Sequence, residues 1–397
     1  MLRFMTAGES HGQAIIGLIE SFPAGFELSR AEIDKQLRRR QSGFGRGKRM
    51  AIEKDEVTIL SGVRHGRTLG SPIVLLIKNK DWHNWKEIMA TDKPMGAVAK
   101  KCKEKRFVLT VPRPGHADLA VAIKYNTHDL RDVIEHASAR ETAARVACGA
   151  VAKQFLEYFG IRIVSHVTSI GTVSLKSSKW DWDDISMLSD KSQVRCVDNK
   201  ISLEMMSEIK QAIKSEETLG GIFEVRAANL PAGLGSNAQW FTRLDSALAA
   251  AIMSIPSVKG VEIGNAFVNC RQRGSQVHDE IYYRKTDKRG RASNFFRRSN
   301  NAGGIEGGIT NGAEIIVRGA CKPIPTLSEP LTSVDITSKK KTKAAVLRAD
   351  VCVVPAAGIV GEAMVAMVLA SAFVEKFGGD SKNEIEANYK AYLNREF

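Results

Sequence analysis

The chain has few cysteines, and none stands in a pattern that chemistry or folding would use. Cys102, Cys148, Cys196, Cys270, Cys321 and Cys352 are scattered, with no CxxC pair and no Cys/His cluster at zinc-ligand spacing. A disulfide scaffold and a bound metal are therefore not expected, and buried free thiols are. Long apolar runs are lacking too: no stretch approaches about eighteen uninterrupted apolar residues. The opening MLRFMTAGESHG meets Gly8, Glu9, Ser10 and His11 before an apolar run of signal-peptide length develops. A cytoplasmic protein with no membrane partner is expected. No repeat recurs at about 20 to 50 residues, which excludes solenoids and propellers. There is no GxxxxGK[ST] phosphate loop, no GxGxxG opening a helix after a strand and no GxSxG elbow, so a P-loop nucleotidase, a Rossmann dehydrogenase and a triad hydrolase are all excluded.

What is present is an ordinary globular composition with a positive excess. Of 397 residues 43% are hydrophobic and 26% charged, and 58 Lys and Arg against 44 Asp and Glu give a formal charge of +14. Such a potential gathers anions, whether nucleic acid, acidic lipid or a small phosphorylated acid. Part of it is ordinary solvated surface, as in SKKKTK at Ser338 to Lys343. Stretches rich in β-branched residues predict strands at Ala14 to Ile19, Val57 to Ser61, Ile73 to Ile77, Ile161 to Ile170, Gly221 to Ala227, Gly260 to Phe267 and Ala313 to Arg318. Helical spacing predicts helices from the Ser29 cap to Arg40, over Ala139 to Phe159, Arg243 to Ile255 and Ile359 to Phe377. The fold class is α+β or a layered sandwich in one large domain. The stretch from Ser174 to Glu217 has weak periodicity and reads as a peripheral excursion.

Five constellations carry chemistry. In Gly8-Glu9-Ser10-His11-Gly12 a hydroxyl and an imidazole lie between glycines at the threshold of a strand. A histidine so framed can exchange a proton near neutrality, and a plain turn histidine fits as well. In Val111-Pro112-Arg113-Pro114-Gly115-His116-Ala117-Asp118, prolines stiffen the backbone around Arg113 and set His116 beside a carboxylate. The run Arg38-Arg39-Arg40-Gln41-Ser42-Gly43-Phe44-Gly45-Arg46-Gly47-Lys48-Arg49 takes a helix end into a basic, Gly-rich loop suited to wrap phosphate or carboxylate. A nucleic-acid patch is the rival reading there, although Phe44 alone offers stacking. Asn300 to Gly312, with Gly303, Gly304, Gly307 and Gly308, suits close approach to a flat ligand, and Lys322-Pro323-Ile324-Pro325-Thr326 joins a cation and a hydroxyl on a rigid ledge. Arg348-Ala349-Asp350 precedes an apolar run, where Asp350 would need a partner if buried.

Taken in order, GESHG, RRRQSGFGRG, RPGHAD, SARETAARVA, GLGSNAQWFTRLD, KGVEIG, NNAGGIEGGITNG, KPIPT and RADVCVVPAAG resemble the chorismate synthase family from residue 8 to 358. Only Ser174 to Glu217 and Arg284 to Arg297 look particular to this chain. The resemblance implies a layered β-α-β sandwich assembled as a homotetramer. It implies the anti-1,4-elimination of phosphate from 5-enolpyruvylshikimate 3-phosphate to give chorismate, with reduced FMN required but not consumed. His11 would assist phosphate departure, His116 would keep the reduced flavin protonated, and Asp350 with Ser10 would help the substrate proton leave. Arg40, Arg46, Arg113, Arg140 and Arg348 would clamp substrate anions, with Ser138 and Ala139 alongside. His136, Ala137, Ser138, Pro256, Ser257, Gly307, Lys322, Pro323, Ile324, Pro325, Thr326 and Arg348 would line the flavin.

Two positions depart from the family pattern. His136 stands where an arginine is usual, which makes anion affinity there pH-sensitive, and Pro256-Ser257 replaces Asn-Ala, removing a backbone donor and an amide. No reductase module fits this length, so an external flavin reductant is expected and no nucleic-acid partner. Two other readings differ in what they predict. A basic nucleic-acid binder would show steep salt dependence and leaves the framed histidines unexplained, whereas a flavin or phosphate binder without catalysis would tolerate loss of His11 or His116.

Overall fold

A computed structural model describes residues 2–46, 54–102, 108–176, 180–284, 294–346 and 350–395. Two antiparallel sheets enclose a layer of helices. The first has four strands in the order Arg3–Ala7, Ala14–Glu20, Ile73–Lys78, Val57–Ser61. The second has five, in the order Val258–Ile263, Ile315–Cys321, Gly221–Ala228, Arg162–Ile170, Val173–Ser174. Alternation sets their inner faces: Ile15, Ile19, Ile73, Leu75 and Ile77 in the first sheet, Phe223, Val225, Ile315 and Val317 in the second, are all buried.

The helices between them are Arg30–Gln41, Thr142–Tyr158, Leu244–Met253 and Val354–Phe377. Ser29 caps the first by accepting from the Glu32 N–H, and three arginines in its last turn complement the helix dipole. Close approach across the layers depends on missing side chains. A Cβ on Gly17 would stand 2.6 Å from Cys148 Sγ, one on Gly149 2.3 Å from Ala363 Cβ, and one on Gly361 2.7 Å from the Phe223 ring. These contacts bring the first sheet against Thr142–Tyr158, that helix against Val354–Phe377, and Val354–Phe377 against the second sheet. One contiguous apolar core runs through all three layers.

Val354–Phe377 is the one described helix long and apolar enough to cross a membrane, with a mean hydropathy of 2.0 in its best window. Here it is the centre of the middle layer, and Glu362 is buried in its first half. The predicted element from Ala139 divides into a 3₁₀ turn, Ala139–Glu141, and the helix proper, because Ser138 caps the turn first. Past Ile263 the expected strand gives way to a short helix, Ala266–Asn269. The stretch 174 to 217 holds more structure than its periodicity suggested: Asp198 caps a helix over Asn199–Lys214, whose Met205 and Ile209 join the core. Cys148, Cys196, Cys321 and Cys352 are buried free thiols, Cys102 is half-buried and Cys270 exposed.

Candidate active site

The GESHG segment turns the chain between the strands Arg3–Ala7 and Ala14–Glu20. Gly8 has φ 111°, and a Cβ there would lie 2.3 Å from the Ala14 carbonyl oxygen, so the turn requires glycine. Asn79 clamps it by donating to the carbonyls of Glu9 (3.0 Å) and Gly12 (2.7 Å). His11 then meets a residue 124 positions away: its N–H donates to Glu135 Oε2 at 2.8 Å, and its Nδ1 lies 2.9 Å from both Glu135 oxygens. Its ring rests on Trp85, with centroids 4.1 Å apart, and Arg131 covers the indole at 5.0 Å while donating to Glu135 Oε1 at 3.2 Å. Burial pushes the Glu135 carboxyl up, but the His11 contacts and Arg131 outweigh it and hold it below the usual glutamate range. Nδ1 faces the carboxylate, which fixes the orientation of the ring.

Behind His11, two buried guanidiniums converge on Asp55. Arg140 Nη1 reaches its two oxygens at 2.6 and 2.7 Å, and Arg40 Nη1 reaches Oδ2 at 3.4 Å. Arg40 also donates to Thr142 Oγ1 (2.9 Å) and the Ala139 carbonyl (3.2 Å), and Arg140 Nε donates to Asn79 Oδ1 at 2.8 Å. Ser138 donates to Ser10 at 3.1 Å, and the Ser10 N–H donates to the Glu135 carbonyl at 2.9 Å. Thus Ser10, His11, Arg40, Ser138, Ala139 and Arg140 meet in one place. His136 is exposed at the end of the helix Arg131–His136, and the Ala137 N–H caps that helix on the Val133 carbonyl at 3.0 Å.

The second histidine heads another cluster. His116 Nδ1 lies 2.5 Å from Asp118 Oδ1, and Arg113 Nη2 sits 3.0 and 3.2 Å from the two ring nitrogens. Arg113 forks onto Asp118 (Nε to Oδ2, 2.8 Å) and donates to Thr326 Oγ1 at 3.0 Å. Burial acts to raise the Asp118 carboxyl, yet the His116 and Arg113 hydrogen bonds keep it far below the usual range. Lys322 Nζ donates to the Gly115 carbonyl, and the Lys322 N–H donates to the Ser257 carbonyl at 2.9 Å. The Ile324 carbonyl accepts from Thr218 at 2.7 Å. Arg113, His116, the ledge Lys322-Pro323-Ile324-Pro325-Thr326 and Pro256-Ser257 therefore form one wall. Ser257 stands at φ 73°, with its Oγ buried beside the Cys321 thiol.

Arg46 pairs with Asp350 at 3.0 Å. Ser10 has contacts to Ser138 and Glu135. Gly307 occupies a Gly-Gly turn between Ile305–Glu306 and Ile309–Thr310, at the far end of the strand Ile315–Cys321 from Lys322. Arg348, Ala349, Gly47, Lys48 and Arg49 lie outside the described residues.

Glu135, Asp55, Asn79, Trp85, Arg131 and Thr142 are site residues that the sequence reading missed. The Arg131–Glu135 spacing of four marked a helix pair, but nothing local tied Glu135 to His11. Cys321 and Cys352 flank the ledge and the Asp350 segment, and burial pushes their thiols up to about 11 and about 12, which makes nucleophilic roles unsuitable.

The arrangement offers paired histidine–carboxylate units and several arginines, a set suited to proton transfer on a small polyanion. The family model for chorismate synthase matches residues 2–374. A chorismate synthase of Solibacter usitatus is 50% identical over 99% of this chain and 98% of its own length. Those of Symbiobacterium thermophilum and Geobacter sulfurreducens are also 50% identical, with the same coverage. A crystal structure of chorismate synthase, 42% identical, superposes with a TM-score of 0.78 over 99% of this chain and 97% of the other. With model, relatives and solved structure agreeing over nearly every residue, the chain belongs to the chorismate synthase family.

Proposed function

We propose that this chain, a carbon–oxygen lyase of the aromatic amino acid pathway by its family, eliminates phosphate from 5-enolpyruvylshikimate 3-phosphate to give chorismate, with His11 as the acid that assists the leaving phosphate. The observation that carries the assignment is the His11–Glu135 unit, a proton-carrying ring held by a buried carboxylate beside Arg40 and Arg140. Glu135 facing Nδ1 orients the ring, so that the imidazole is held in position to protonate phosphate as the C–O bond breaks. Arg40, Arg46, Arg113 and Arg140, with Arg348, Ser138 and Ala139, bind the carboxylates and phosphate of the substrate. Asp350, set by Arg46, and Ser10 assist the departure of the ring proton.

The wall around Lys322 to Thr326 fits a flavin. It joins the Lys322 cation, the Thr326 hydroxyl held by Arg113 and the His116–Asp118 pair, and the Pro256-Ser257 backbone adjoins Lys322. His136, Ala137, Ser138, Ser257, Gly307 and Lys322 to Thr326 would hold reduced FMN, with His116 maintaining protonation beside it. When bound, that cofactor lends electron density to the elimination and is recovered unchanged.

The cofactor is supplied already reduced by an external reductant, and the enzyme works in the cytoplasm as a homotetramer. The outer face of the four-stranded sheet supports assembly: Met5 and Leu60 are 63% and 56% exposed, and Ile16, Leu18, Val74 and Leu76 share that face half-covered.

Anaerobic phosphate release from 5-enolpyruvylshikimate 3-phosphate, with and without chemically reduced FMN, tests the reading. Release is expected only with reduced FMN and without NADPH. Release restored by NADPH alone would overturn the external reductant, and no release in any condition would overturn the function.

A further inference from the structure

The geometry points to a positioning network behind the anion site: Asp190, Arg195 and Glu362 set where Arg40 and the Arg46 loop stand. It rests on the reading of Arg40 and Arg46 as substrate clamps.

Arg39 and Arg40 are neighbours in the last turn of Arg30–Gln41 and point to different places. Arg40 enters the site. Arg39 turns into the middle layer and uses every donor it has. Nε and Nη2 donate to Asp190 at 2.9 and 3.1 Å, Nη1 and Nη2 to Glu362 at 2.7 and 3.0 Å, and Nη1 to Gln36 at 2.6 Å. Glu362, fully buried on Val354–Phe377, also accepts from Lys153 and from Ser165, each at 2.7 Å, and from Arg195 at 3.4 Å. Arg195 itself pairs with Asp190 and donates to the Ser165 carbonyl at 2.6 Å. It does so from φ 58°, an unfavourable backbone for a residue with a side chain.

Asp190 and Arg195 belong to the stretch 174 to 217, and the same stretch supports the basic loop. The Phe44 N–H donates to the Gln193 carbonyl at 2.8 Å, and Lys210 lies 5.9 Å over the Phe44 ring. A Cβ on Gly45 would meet Ile209 at 3.0 Å, and the Val351 N–H donates to the Gly45 carbonyl at 2.9 Å, just before the Arg46–Asp350 pair. The network therefore fixes both ends of the turn that leads from Arg40 to Arg46. A buried ion cluster contributes little to stability that well-packed apolar residues would not, whereas it does define geometry. Displacing a substrate clamp by a fraction of an ångström weakens binding before it alters the chemical step.

The test uses the full-length enzyme with reduced FMN and measures KM and kcat for phosphate release together with the thermal midpoint. Asp190→Asn alters a half-exposed member of the network and spares the buried Glu362, so it keeps the question answerable if Glu362→Gln fails to fold. Asp190→Asn is expected to raise KM about fivefold or more with kcat within about twofold, and Asp190→Glu to recover most of the loss. Combined with Arg40→Ala, the KM effects should be less than multiplicative, since both act on one clamp. If Asp190→Asn lowers the thermal midpoint but leaves KM unchanged while Arg40→Ala raises it, the network is only structural and the positioning inference falls. If Arg40→Ala itself leaves KM unchanged, the clamp reading fails and takes this inference with it.

Discussion

Replacing Glu135 by Gln tests the catalytic unit most directly. The amide keeps the shape and can still accept the His11 N–H, now made to Oε2 at 2.8 Å. What it removes is the negative charge 2.9 Å from Nδ1. A hydrogen bond to a charged group contributes about 1.5–3 kcal/mol against about 0.5–1.5 kcal/mol for a neutral one, so losing the ionic part of this one should cost about 1–1.5 kcal/mol in the transition state. That is roughly fivefold to twelvefold in kcat, with KM little changed because the arginines bind the substrate. Trp85 stacking and Arg131 hold the ring roughly in place, so the loss should be electrostatic rather than a collapse. Single-turnover phosphate release under anaerobic conditions with reduced FMN measures it. In a His11→Ala background the Glu135→Gln change should have almost no further effect, because both act on one proton. A folded Glu135→Gln enzyme with kcat within about twofold of the parent, or effects that multiply in the double variant, would refute the assignment.

Two further outcomes follow from the packing and from the buried charge. Gly149→Ala places a methyl 2.3 Å from Ala363 Cβ, so the two central helices must part, and equilibrium unfolding should show a loss of about 1–3 kcal/mol; an unchanged midpoint would contradict the layer contact. Burial raises the Glu362 carboxyl, but Arg39 and Lys153 lower it further, so its native pKa lies below the unfolded value of about 4.3. Its contribution is therefore present above that value and lost as pH falls through the native one, and Glu362→Gln, if it folds, should flatten the acid limb of stability followed by circular dichroism.

The site divides in the same way as these experiments. His11, His116 and Arg113 stand out in the sequence because glycine and proline framing is a local property of the chain, and Arg40 and Arg46 because a basic run entering glycines suits an anion loop. Glu135 was not, since a carboxylate at helical spacing from an arginine reads as a surface pair until the fold brings it 124 positions back to His11. Asp55 and Thr142 escaped for the same reason: Arg140 and Arg40 sit far apart in sequence and share partners only once the first sheet and Arg30–Gln41 are assembled. The helix Asn199–Lys214 was missed because Ser, Lys, Asp and Trp before it blur the period, although Met205 and Ile209 still repeat on one face.

By itself the sequence determined the central strands and helices of the three layers, because alternation, helical spacing and caps act over a few residues, and through its ordered motifs it determined the family. Only the tertiary structure decided which carboxylate faces each histidine, that Arg39 and Arg40 separate to core and site, and that the stretch 174 to 217 supports the anion loop. Those are contacts between distant parts of the chain, and their energies depend on burial and on distances of about 3 Å that no local pattern encodes.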